Sequence, residues 1–170
     1  MYIKLIGATL ILVSCGGYGM MMAVMHKREV AALQQLVRAV DVMICELEYR
    51  LTPLPTLCRN GAQETKGSVG ACLNALATAL ERQVSPDVGI CMIEAMKNAP
   101  ALPKYAAAQL QALGHTLGRF DLSGQLTNLE HCKQACIGQL AVLEHQQSQR
   151  MRSYQTLGFC AGAALAILLF

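Results

Sequence analysis

The clearest hydrophobic pattern in the chain begins at Val30, where apolar residues start to recur every three or four positions. This spacing is typical of an amphipathic helix, in which one stripe is apolar and the other faces are charged. The stripe comprises Val30, Leu33, Val37, Val40, Ile44, Leu47 and Leu51. The stretch Thr-Pro-Leu-Pro at residues 52–55 ends the pattern, because proline lacks an amide hydrogen and disfavours helix at the residue before it.

The same period continues through the centre of the chain, interrupted by turn residues. Residues 56–61 predict a short turn, and residues 66–83 predict a second helix. Ser85 is predicted to cap a third helix that ends near Asn98, and Pro103 is predicted to open a fourth. The last stripe comprises Leu122, Leu126, Leu129, Cys132, Cys136, Leu140 and Leu143. Since aromatic and β-branched residues are few, the sequence predicts an all-α fold, an antiparallel bundle of about five or six helices.

Both ends of the chain are uncharged over long stretches. As helices, residues 5–25 would measure about 31 Å and residues 153–170 about 27 Å, close to the thickness of a bilayer's hydrocarbon core. We predict a membrane-spanning helix at each end, which divides the chain into an N-terminal anchor (1–26), a helical bundle (27–152) and a C-terminal span (153–170). Gly158, Gly162 and Ala166 form a small-residue ladder in the second span that favours close helix packing.

Basic residues border the predicted spans mainly on the side of the bundle: Lys27, Arg28, Arg150 and Arg152. Lys4 alone lies on the other side. By the positive-inside rule, this asymmetry predicts that the bundle faces the cytoplasm.

Cys15 supports an alternative, because small residues precede it as they precede the lipid-modified cysteine of a lipoprotein. The chain would then be an outward-facing lipoprotein whose helical domain binds a ligand or a partner. The apolar run continues about ten residues past Cys15, however, and that length favours a spanning helix.

Composition and spacing offer little support for catalysis. The net charge of +3 is mild, so no nucleic-acid partner is expected. Eight cysteines show no spacing typical of a disulfide framework, and we interpret them as reduced thiols that pack like small apolar side chains. Cys132 and Cys136 lie one turn apart beside His131, but zinc needs four ligands and no second pair has useful spacing. Without a nucleophile motif or a phosphate-binding loop, we expect no enzyme, metal, cofactor or small-molecule substrate.

Two short motifs mark predicted corners of the bundle. In the first, Glu46 and Arg50 are spaced for an i,i+4 ion pair, just before Pro53 and Leu54. The second corner comprises Gly114, Gly118, Asp121 and Gln125. The two glycines would share one bare helix face, and the later one would close the helix in a left-handed conformation. Asp121 would cap the following helix, and the glutamine would lie exposed one turn later on the same side.

The two motifs, LGxxLGxxDxxxQ at the second corner and ELEYRLTPLP at residues 46–55, resemble those of the stage III sporulation protein AB family. The apolar segments at both chain ends match that family too. The chain departs from the family pattern near Cys91 and Met96, where an aromatic residue, often tryptophan, is expected.

The resemblance implies a fold similar to the cytoplasmic domains of type II secretion and type IV pilus inner-membrane platform proteins. It also implies a place in the mother-cell membrane around the forespore, within a secretion-like channel complex. There the chain would act as an assembly platform that recruits a cytoplasmic ATPase and other membrane subunits. Glu46 and Arg50 would act as a structural lock at the first corner.

Overall fold

The computed structural model describes the backbone of residues 2–99 and 102–169, and the side chains of residues 21, 24–99 and 102–145. The all-α prediction is confirmed, because every regular element of the described residues is helical. These elements are α1 (Tyr2–Arg50), α2 (Leu54–Gln63), α3 (Gly67–Glu81), α4 (Val88–Asn98), α5 (Lys104–Thr116) and α6 (Leu122–Leu169).

Local sequence explains most of the helix ends. Pro53 precedes the first residue of α2 and Pro103 that of α5, where the fixed backbone angle of proline suits a helix start. The cap of α4 is Asp87 and not Ser85 as predicted, since the Asp87 carboxylate accepts the backbone N–H of Gly89 at 2.8 Å. The Ser85 hydroxyl instead accepts the N–H of Asp87 at 3.2 Å, so the turn positions the residue that caps the helix.

The helices run up and down in chain order, and α1 and α6 pack side by side as an antiparallel pair. We call the end where α1 finishes and α6 begins the tip, and the opposite end the base. Near the middle of this pair, Lys133 Nζ lies 2.9 Å from Asp41 Oδ1. At the base, His26 Nε2 lies 3.2 Å from the carbonyl oxygen of Leu143.

The core receives buried side chains from all six helices, and its buried face on α1 differs from the predicted stripe. Leu36 and Met43 are fully buried, although neither belongs to that stripe. Val37 and Ile44 are only half-buried, and Leu51 is 67% exposed. The reason is that α1 contacts several helices, so its buried face is broader than one stripe and centred about one position away from it.

The prediction of a turn over residues 56–61 is wrong, because these residues form the centre of α2. Asn-Gly is typical of a turn, but Gly61 serves here as a packing position. A Cβ on Gly61 would lie 3.1 Å from Met43 Cε and 3.4 Å from the carbonyl oxygen of Ala39, so the missing side chain lets α2 approach α1 closely.

The six described cysteines are all unpaired, and five of them are buried. Cys45 is exposed, so it does not pack like a small apolar side chain as we interpreted all the cysteines, and Cys58 is buried in α2 rather than in the predicted turn. Burial raises the pKa of the Cys58 thiol to about 12, and the neighbouring Cys72 contributes to the rise. The pKa of Cys72 is raised to about 11 by burial. Both thiols therefore behave as apolar core groups.

Among the described residues, none of the helices contains an apolar stretch of the length that a membrane span requires. The predicted spans over 5–25 and 153–170 fall almost entirely on residues whose side chains lie outside the description. The side chains of Cys15 and of the ladder of Gly158, Gly162 and Ala166 also lie outside the description. The domain boundaries stay a prediction; α1 continues through residue 26 and α6 through residue 152 as unbroken helical backbone.

Candidate interaction site

The fold brings the two corner motifs together at the tip, although nearly sixty residues separate them in the chain. Gly118 is the meeting point: a Cβ there would lie 3.4 Å from Leu54 Cδ2 and 3.3 Å from Val88 Cγ2. A cleft of about 220 Å³ lies between the motifs. Its lining comprises Leu47, Leu51, Thr52, Leu54, Gly118, Leu122 and Gln125. We call this cleft and its rim the tip site.

In the first motif, the strongest partner of Glu46 is a residue that sequence reasoning missed. The hydroxyl of Thr52 donates a hydrogen bond to Glu46 Oε2 at 2.7 Å. The predicted ion pair is present as well, with Arg50 Nη1 3.2 Å from Glu46 Oε1. The Arg50 side chain is 74% exposed and the Glu46 side chain only 16%, so solvent screens the arginine while the hydroxyl bond is sheltered. Thr52 therefore holds the backbone where α1 turns into α2.

The second motif closes one helix and starts the next. Gly118 has φ +76°, a left-handed conformation that glycine adopts without a steric penalty. The Asp121 carboxylate accepts the backbone N–H of Gly124 at 3.1 Å and so caps α6. Gln125 is half-buried rather than exposed as predicted, because its side-chain amide donates to the carbonyl oxygen of Phe120 at 2.9 Å. Its role in the structure is to tie down the turn.

Gly114 and Gly118 do not share a bare helix face, contrary to the prediction. Gly118 lies beyond the end of α5, whereas Gly114 lies within it and packs against α4. A Cβ on Gly114 would come within 2.6 Å of Met92 Cβ, closer than side chains tolerate. Met92 thus fills the groove that the glycine spacing suggested. The contact between Met92 and Gly114 sets the distance between α4 and α5.

An ion pair joins this turn to the start of α4. Arg119 Nη2 lies 2.8 Å from Asp87 Oδ2, with both side chains more than one third exposed. The pKa of the Asp87 carboxyl is lowered, first by the hydrogen bond from the N–H of Gly89 and then by the nearby Arg119 charge. This ion pair thus joins the turn after α5 to the turn before α4, while packing of Gly118 near Leu54 joins it to the turn after α1.

Large apolar side chains remain exposed at the tip, and two of them, Leu51 and Leu122, line the cleft. The exposed fractions are 77% for Tyr49, 67% for Leu51, 52% for Phe120 and 42% for Leu122. Leu51 also has φ +50°, a left-handed conformation that branched residues rarely adopt. Neither burial nor backbone geometry accounts for leucine at this position, and such unexplained strain is often found at functional sites.

Comparison with known families decides where the chain belongs. The family profile described as stage III sporulation protein AB matches residues 4–170. The chain is a member of the stage III sporulation protein AB family. It is 26% identical to stage III sporulation protein AB of Bacillus subtilis (strain 168), over 98% of this chain and 99% of that protein. A solved structure of a stage III sporulation protein AB has a TM-score of 0.61 and 22% identity, over 72% of this chain and 98% of that one, and so shares the fold.

A second and larger cavity, of about 440 Å³, lies between α1 and α6 but contains none of the corner residues. Ile44 and Leu126 supply its apolar wall, while Glu48 and Glu130 add carboxylates. Over the described residues, no group of three or more His, Cys, Asp or Glu side chains is arranged to hold a metal ion. The tip site is therefore the cavity at which the two corner motifs meet.

Proposed function

We propose that this chain is a membrane-anchored assembly subunit without catalytic activity of its own. It belongs to a sporulation channel complex that resembles a secretion system and connects mother cell and forespore. Its bundle recruits a cytoplasmic ATPase and other membrane subunits of the complex. Membership of the stage III sporulation protein AB family supports the link to sporulation.

The exposed apolar rim of the tip site is the observation that carries the proposal. Leu51 and Leu122 line the cleft and remain exposed to water, and Tyr49 and Phe120 are exposed at the same end of the bundle. Exposed apolar side chains grouped in this way are typical of a surface that a partner covers. Their position fits the proposed anchoring, because Arg50 lies about 38 Å along α1 from Met25, the last residue of the apolar run. The tip would thus be the part of the bundle held farthest from the membrane.

The proposed anchoring rests on the uncharged runs at the two chain ends. Both runs continue helices of the bundle without a break in the backbone, so α1 and α6 would pass directly into the bilayer. Lys27 and Arg28 follow the first run and are exposed at the base, as expected on the cytoplasmic side of a membrane.

Binding by a tip variant tests this function. The full-length Leu51→Gly, Phe120→Ser protein would be purified in mild detergent and used to capture the ATPase of the complex. Both changes remove exposed apolar side chains, and glycine suits the backbone angle at residue 51. We expect the melting temperature to stay within a few degrees of the wild-type value while captured ATPase falls at least tenfold.

The matched control replaces exposed apolar side chains elsewhere on the bundle. Ile137 and Val142 of α6 are 41% and 47% exposed and lie outside the tip site. The Ile137→Ser, Val142→Ser protein should therefore capture as much ATPase as the wild type. If the tip variant binds normally, or if both variants lose binding equally, the tip site is not the docking surface.

A further inference from the structure

Two lysines and a tyrosine lie exposed at the base, around the turn between α4 and α5. Lys97 is in the last turn of α4, while Lys104 and Tyr105 begin α5. Both lysines are exposed, and the Tyr105 side chain is 45% exposed. We call these three residues the base patch. Neither lysine forms an ion pair with any described residue.

A hydrogen bond fixes the height of the base patch relative to α1. The backbone N–H of Tyr105 donates to Glu29 Oε1 at 2.7 Å. Glu29 lies four residues after Met25, where the uncharged run of α1 ends, a distance of about 6 Å along the helix. The headgroup layer on each side of a bilayer is about 5–8 Å deep. The lysine ammonium groups and the tyrosine ring are thus within reach of the headgroups.

The register between α1 and α6 determines which side of the bundle lies nearest to the bilayer. His26 is level with Leu143 because its ring nitrogen contacts that carbonyl oxygen at 3.2 Å. The uncharged run of α6 begins only at Ser153, about 15 Å further along the helix. A bilayer that accommodates both runs must therefore approach the bundle most closely beside α1. This is where α5 begins.

The charges at this end favour an anionic partner. Lys27 and Arg28 are exposed next to the bond that positions Tyr105, and they add two positive charges to those of the base patch. The Glu29 carboxylate is already engaged by an N–H group. The remaining nearby carboxylates belong to Glu94, one turn before Lys97, and to Glu144 on α6. Positive charge exceeds negative charge at the base, and a tyrosine ring beside lysine is typical of membrane interfaces.

We propose that the base patch binds the headgroups of anionic phospholipids and forms a membrane contact separate from the two helical anchors. The inference rests on the proposed function, because it requires that the base faces the bilayer. Lys97 and Lys104 contact lipid phosphates, and the Tyr105 ring lies among the headgroups. This contact holds the bundle at a defined tilt, with the tip directed away from the membrane.

The absence of tryptophan from the chain makes a direct test possible. In the Tyr105→Trp protein the introduced indole is the sole tryptophan, and its fluorescence reports the environment of the base patch. The full-length protein would be reconstituted into nanodiscs of phosphatidylcholine with 30% phosphatidylglycerol, with bromine atoms near the headgroup end of the acyl chains. We expect strong quenching by the bromolipids. The Tyr49→Trp protein, with its indole at the tip, should show none.

A second pair of variants tests the role of charge. Adding Lys97→Gln and Lys104→Gln to the Tyr105→Trp protein should reduce the quenching by at least half. Arg50→Gln with Arg82→Gln removes two exposed positive charges at the tip and should leave quenching unchanged. Replacing phosphatidylglycerol with phosphatidylcholine should act like the lysine changes.

Each alternative result has a definite meaning. The indole at position 105 could remain unquenched in a chain that resists alkaline extraction from the bilayer. That result overturns the base contact and leaves the anchoring proposal intact. If quenching is unchanged both by the lysine substitutions and by the removal of phosphatidylglycerol, the assignment of anionic headgroups is wrong. A chain that does not enter the bilayer at all overturns the anchoring and the base contact together, whereas the ATPase capture experiment in detergent is unaffected.

Discussion

Gly114→Ala is the substitution for which the structure sets the sharpest expectation. The added methyl carbon would lie 2.6 Å from Met92 Cβ and 2.8 Å from Met92 Cγ. Because the closest atom is a Cβ, no rotation of the methionine side chain relieves the overlap, and α4 must move away from α5. Both residues are buried, so no solvent-filled space absorbs the shift. Overpacking of this kind costs about 1–3 kcal/mol.

Gly138→Ala provides the matched control. Gly138 also lies within a helix, and a Cβ there would meet no atom within 4 Å. Both substitutions gain up to about 1 kcal/mol from the higher helix propensity of alanine, and this gain cancels when the two variants are compared. Their difference in unfolding free energy therefore reports the Met92 contact alone, about 1–3 kcal/mol. For a chain of this length it corresponds to a difference in Tm of about 3–10 °C.

The assay is thermal unfolding of the two full-length variants in mild detergent, followed by circular dichroism at 222 nm. We expect Gly138→Ala to melt at or slightly above the wild-type temperature and Gly114→Ala to melt clearly below Gly138→Ala. Equal melting temperatures for the two variants would show that α4 and α5 can separate without cost. Gly114 would then have no packing role, and its place in the corner motif would need another explanation.

Two further predictions concern the turn after α1 and the buried thiols. In urea unfolding, Thr52→Val should lower the unfolding free energy by about 1–2 kcal/mol, because it removes a sheltered hydrogen bond to the Glu46 carboxylate. Arg50→Gln should lower it by less than about 0.5 kcal/mol. The reverse order would show that the Glu46–Arg50 ion pair contributes more to stability than the Thr52 hydrogen bond. At pH 8 a maleimide should label the exposed Cys45 at once but Cys58 only as the chain unfolds, as measured by peptide mass spectrometry. Equal labelling rates for the two cysteines would contradict the burial of Cys58. Since the pKa of folded Cys58 is raised to about 12, its contribution to stability is complete below about pH 9 and is lost as the pH rises toward 12.

Helical content and most helix ends could be predicted because they depend on residues within one or two turns of each other. Proline at 53 and 103, glycine at 118 and aspartate at 121 each act on the adjacent backbone, and the structure shows these residues at helix ends. The corner motifs were recognisable for the same reason, as short patterns of turn and cap residues. The failure at residues 56–61 shows the limit of such reasoning, because packing of Gly61 against α1 outweighed the turn preference of Asn-Gly.

Contacts between residues distant in the chain were decided by the tertiary structure alone. Periodicity shows that a helix has an apolar face, but not which helix covers it. Only the fold places Met92 against Gly114 and joins the two motifs in one cleft. It likewise sets the register between α1 and α6, which makes His26 level with Leu143. As a result, the two uncharged runs begin at different distances from the bundle along these helices. Spacing within a segment carries no information on such pairings, because they arise from the packing of the whole core.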